Sequence, residues 1–133
     1  MLSPIELGEV QAWSSALDIE EPKTIFYMMP LDSILKGKIF SRIFADSELN
    51  EKDGNVELAF DVQIDLIRYS LQKIDNFGVA KEYVIKTEKS KLGAVEYDVV
   101  SLDVIKKIPL EILPELAKFV TELSGISTEE KKS

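Results

Sequence analysis

Apolar residues along this chain recur with two different periods, and the switches between them mark most of the predicted elements. Lys23 to Met29 carries Thr24, Ile25, Phe26 and Tyr27, residue types that favour a pleated strand, and Pro30 ends it. Asp32 or Ser33 then caps a helix reaching about Ala45, because Leu31, Ile34, Leu35, Ile39, Ile43 and Phe44 return near the helical period. Gly37 weakens its middle. A polar loop follows from Asp46 to Asn55, with the turn pair Asp53-Gly54.

The next stretch fits both periods. Val56, Leu58, Phe60, Val62, Ile64 and Leu66 alternate like a strand, whereas Val56, Phe60, Ile64, Ile67, Leu71 and Ile74 share a helical face. About 19 residues without a turn signal are long for a strand and ordinary for a helix. The sequence therefore predicts a helix over 56–74, capped by Asn55 and stopped at Asp75-Asn76-Phe77-Gly78. Phe60, Ile64, Ile67 and Leu71 would be its buried side, and Glu57, Asp61 and Asp65 its exposed one.

Beyond Gly78, residues 82–86 and 95–100 read as two strands joined in a hairpin by a Lys-rich turn containing Gly93. Ser101 or Asp103 starts a short helix through Ile108, halted by Pro109. Pro114 suits the first turn of a last helix, on which Leu116, Phe119, Val120 and Leu123 form one apolar stripe before a glycine stop at Gly125. Residues 1–22 read as a loosely ordered arm that Trp13 and Leu17 could pin, and 127–133 as a charged tail. The expected fold is α+β and mainly α: a single domain over 23–126 with several amphipathic helices and a small antiparallel sheet.

Composition narrows the chemistry. The 133 residues include no histidine and no cysteine. Histidine-assisted acid–base catalysis, Cys-His or Ser-His-Asp nucleophiles and N- or S-ligated metals each lack a necessary part, so a non-enzymatic binding role leads, with no catalytic residue and no cofactor expected. With 16 basic and 24 acidic residues the net charge is −8, and only Arg42 and Arg68 are arginines, which disfavours nucleic acid as a partner. No stretch approaches the roughly 20 apolar residues of a membrane helix, and the first residues lack a signal-peptide pattern.

Four clusters invite a sharper reading. Glu57, Asp61 and Asp65 stack at i, i+4 spacing, but helical metal sites add histidines, so a solvated acidic face is expected. The 46–57 loop places oxygen-bearing residues at alternate positions as a calcium loop does, yet Glu51 stands where the sharp turn needs glycine. No metal site is expected from either. Lys86, Lys89 and Lys91 look like edge protection for a strand. The adaptable cluster Phe26, Tyr27, Met28 and Met29, with the stripe Leu116, Phe119, Val120 and Leu123, supplies the candidate partner-binding residues; core packing is the simpler explanation of the same residues, since large apolar side chains are usually inside.

Three stretches in order carry a family resemblance. Pro22-Lys23-Thr24-Ile25-Phe26 leads through Met29-Pro30-Leu31 into a helix. Leu66-Ile67-Arg68-Tyr69-Ser70-Leu71 runs on to Asp75-Asn76-Phe77-Gly78. Ile108-Pro109 precedes Pro114-Glu115-Leu116-Ala117 and the closing Leu123-Ser124-Gly125-Ile126-Ser127-Thr128-Glu129-Glu130. This order, over residues 20–133, resembles the short tail assembly chaperones of long-tailed bacteriophages and prophages. The resemblance implies a protein of the host cytoplasm that coats the apolar, helical tape measure protein until tail tube protein polymerises around it. It also implies that a longer form can arise by frameshifting. A head–tail or tail completion protein of the virion is the alternative, and monomer and homo-oligomer both stay open.

Overall fold

Strand β1 (Gln11–Trp13) is the first element among the described residues of the computed structural model, which are 9–47, 59–78, 80–92 and 94–125. The Asp53-Gly54 turn, the Asn55 cap, Glu57, most of the 46–57 loop, the Gly93 turn and the 127–133 tail lie outside the described residues. Strand β2 (Ile25–Met28) follows where the β-branched and aromatic run predicts it. Helix α1 (Ser33–Ser47) starts on Asp32, whose Oδ1 accepts the Leu35 N–H at 2.9 Å and satisfies one of the free amides of the first turn.

Helix α2 (Phe60–Ser70) is shorter than the sequence predicts, and the chain passes from it without a loop into β3 (Leu71–Phe77). Strand β3 pairs antiparallel with β2, Phe26 against Ile74 and Ile25 against Asp75. The register slips between Tyr27 and Met28, so Met28 meets Leu71 while Tyr27 meets Lys73, and Gln72 is the extra residue of a bulge. Because of that bulge, Leu71 and Ile74 are both buried although three residues apart, a spacing that reads as helical in the sequence. The buried side of α2 is also rotated from the expected one: Val62, Leu66, Ile67 and Ser70 face inward, and Phe60 is 54% exposed.

Gly78, with φ of +69°, supplies the left-handed residue of the tight turn into β4 (Ala80–Tyr83). The predicted hairpin of 82–86 with 95–100 is corrected here. Strand β4 closes a four-stranded sheet ordered β1-β2-β3-β4, and β6 (Val95–Val100) pairs instead with β5 (Thr87–Leu92). The lysines read as a turn cluster therefore sit partly in a strand, where Lys89 faces Asp98 and forms an ion pair with it. Short helix α3 (Leu102–Ile105) is capped by Ser101, whose Oγ accepts the Asp103 N–H, and α4 (Ile112–Leu123) ends against Gly125 at φ +72°.

Four helices and six strands in two antiparallel sheets make helix and strand roughly balanced among the described residues, which corrects the mainly α expectation. The core lies between the larger sheet and α2 and α4, built from Phe26, Met28, Leu66, Ile67, Ile74, Leu116 and Val120 among others. Both arginines are structural ties. Arg42 joins α1 to Asp61 and Asp65 of α2, and Arg68 donates to the Val100 carbonyl at 2.8 Å and pairs with Glu88 of the hairpin. Among the described residues, no helix is long and apolar enough to cross a membrane.

Candidate functional site

The segment from Glu9 to Pro22, placed in the arm by sequence, is pinned on three sides. Gln11 to Trp13 pair with β2, and the Trp13 ring lies 5.9 Å from Phe26 and 6.2 Å from Phe119. Ser15 is buried and donates from Oγ to Glu115 Oε2 at 2.8 Å, while the same oxygen accepts the Leu17 N–H. Asp18 Oδ2 accepts the Thr24 N–H at 2.7 Å, closing the excursion between β1 and β2. Thr24 in turn donates to the Asn76 carbonyl, and Asn76 Nδ2 donates to the Lys23 carbonyl, which holds Asn76 in its left-handed conformation at φ +57°.

These ties leave a groove open to solvent between the 15–18 turn, the ends of β2 and β3 and the α3–α4 connection. It encloses about 350 Å³. Leu17, Phe26, Phe77, Pro109 and Ile112 give it an apolar lining, and Asp18 and Glu111 supply its charge. No lining residue is basic, and neither carboxylate has a cationic partner among the described residues. Leu17 (61% exposed), Ile19 and Leu110 extend apolar surface on the segments around it.

The eight candidate partner-binding residues separate by depth. Phe26, Met28, Leu116 and Val120 are buried in the core, while Tyr27, Met29, Phe119 and Leu123 are half-buried. Tyr27 donates to Asp75 at 2.9 Å and carries Lys73 over its ring, and the hydrogen bond to Asp75 raises its phenol pKa. Trp13 brings the two groups together, since it touches both Phe26 and Phe119. Only Phe26 among the eight lines the groove. Leu17, Asp18, Phe77, Pro109, Glu111 and Ile112 are not among the sequence candidates; the signal available for them is apolar residues, Leu110 and Ile112, beside the turn-forming Pro109.

Asp61 and Asp65 are engaged by Arg42, and no group of three acidic side chains among the described residues could hold a metal ion. Comparison of the chain with known protein families, with curated proteins and with solved structures found no match.

Proposed function

We propose that this protein is a tail assembly chaperone of a long-tailed bacteriophage or prophage, acting in the cytoplasm of the bacterial host. It binds the apolar, helical tape measure protein, keeps it dispersed, and gives it up as tail tube protein polymerises around it, with no catalytic step. The observation that supports this reading best is the open apolar groove with an acidic border, continued outward by Leu17, Ile19 and Leu110. Apolar surface left open beside a groove is available for contact with another chain. Its small size suits a grip that must later be released, because affinity concentrates in a few anchors and a short interface dissociates readily. The net charge of −8 supplies the repulsion that keeps coated chains apart. The ordered sequence resemblance supports the same function.

Co-expression with the tape measure protein encoded beside it tests the proposal. The expected result is a higher soluble yield of that partner and a complex on gel filtration. A partner that stays insoluble beside the wild-type protein overturns the chaperone reading, and so does abundance of this protein in purified virions, which would favour a tail completion role.

A further inference from the structure

We propose that the groove is a specificity site for a cationic amphipathic helix, which inserts one or two apolar side chains between Leu17 and Ile112 and sets lysine or arginine against Asp18 and Glu111. This inference rests on the chaperone reading for its biological partner but not for its chemistry.

The mode of binding follows from which elements build the walls. Phe26 lies on β2 and Phe77 on β3, both interior to the order β1-β2-β3-β4, so no edge strand runs along the groove to accept an added strand. An occupant must bind through its side chains, as a helix does when it lays an apolar face over a hydrophobic groove. About 350 Å³ accommodates side chains and not a helix itself, whose diameter is about 10–12 Å. The floor is rigid: Phe26 is buried, its ring packs 6.3 Å from Phe77 and 5.9 Å from Trp13, and Phe77 packs edge-on against Tyr83 at 5.1 Å.

Charge decides which helix fits. Asp18 and Glu111 reach the groove from different segments, the β1–β2 excursion and the α3–α4 connection. The nearby lysine Lys107 is engaged with Tyr83, donating to its hydroxyl at 3.2 Å and lying over its ring. An anionic helix would meet two carboxylates with no cationic partner, and a neutral one would leave both charges uncompensated beside apolar contacts, Asp18 with only its Thr24 amide bond. A cationic residue one helical turn from an apolar anchor satisfies both needs, since positions three and four apart share a face.

The test uses the full chain and a labelled peptide of about 18 residues, long enough to form a helix, with leucines at i, i+4 and i+7 and flanking lysines. Two counterparts replace the lysines by glutamates or the leucines by serines. Fluorescence anisotropy should show the Lys/Leu peptide binding up to about tenfold tighter than the Glu/Leu peptide, because two rim ion pairs contribute up to about that factor, and also tighter than the Lys/Ser peptide, which lacks the apolar anchors. Asp18→Asn with Glu111→Gln should weaken it about fivefold. Asn keeps an oxygen for the Thr24 amide, and unchanged melting and Trp13 emission verify the fold. Glu9→Gln with Glu122→Gln, equal in charge but exposed elsewhere, should change binding less than about twofold if the site and not overall charge governs. Leu17→Ser should weaken the Lys/Leu peptide as well. Equal losses in both charge variants, or tight binding of the Glu/Leu peptide, overturn the proposal. If the Asp18/Glu111 variant still raises tape measure yield fully, the groove assignment fails while the chaperone reading stands. If wild type discriminates the peptides but fails in co-expression, the reverse holds.

Discussion

Asp32 joins two parts of the molecule that lie far apart in sequence. One carboxylate oxygen caps α1 through the Leu35 amide, and the other accepts the Tyr97 hydroxyl of β6 at 2.9 Å. Tyr97 also packs edge-on to Tyr69 at 5.6 Å, and burial together with the bond to Asp32 pushes its pKa up to about 12 from the ordinary value of 10.0. The folded state therefore keeps the phenolic proton after the unfolded chain has lost it. Stability from this group is complete below pH 10 and falls as pH rises from about 10 to 12. Urea midpoints measured across that interval should decline in the wild type. Tyr97→Phe should start lower and decline less steeply, though not become flat, because Tyr27 and Lys73 also have raised pKa values and lose stability in the same direction.

The last helix shows how an element can serve core and surface at once. Leu116, Ala117 and Val120 of α4 are fully buried, whereas Phe119 is half-buried against Trp13 on the neighbouring stripe. Phe119→Ala should cost about 2 kcal/mol, less than the roughly 3–5 of a fully enclosed phenylalanine, because part of the ring already meets water. Trp13 is the single tryptophan, so its emission should move to longer wavelength in the variant as the ring loses its neighbour. A loss near 4 kcal/mol would place Phe119 in the core proper; no change in melting or emission would contradict the packing described. At the α2–β3 junction, Ser70 donates from Oγ to the Met29 carbonyl at 2.6 Å and accepts the Met29 amide on its own carbonyl, so the helix ends where β2 begins to supply backbone partners.

For the molecule as a whole, net charge and local grip respond to salt with opposite signs. A charge of −8 repels itself across a small fold, and added salt screens that repulsion. The rim pairs proposed for the groove are screened too. Raising sodium chloride from about 0.05 to 0.5 M, over which the Debye length falls from above 10 Å to a few ångströms, should raise the melting temperature and lower recovery of the tape measure complex. Calorimetry and gel filtration of the same samples check both. A complex that gains strength with salt would point to a purely apolar grip and count against carboxylate selectivity.

Several elements were legible from local rules alone: the strand before Pro30, the helix capped by Asp32, the Ser101-capped turn and the last helix with its glycine stop all depend on a residue's own backbone preference and near neighbours. The balance of helix and strand was not, because residues 71–77 choose between helix and strand by what lies beside them. Leu71 and Ile74 carry a helical spacing that only the bulge at Gln72 reconciles with pairing on β2. The same holds for β5, whose charged residues favour a turn until Asp98 and Glu96 neutralise Lys89 across the ladder. The groove was the least legible feature. Its walls come from four segments up to almost a hundred residues apart, each ordinary in isolation, and only long-range ties such as Ser15 to Glu115 put Leu17, Phe77 and Ile112 around one space. Composition and local pattern decide what a segment can be and which chemistry it lacks. Which apolar residues are covered, and which remain for a partner, depends on contacts distant in sequence, which tertiary packing alone creates.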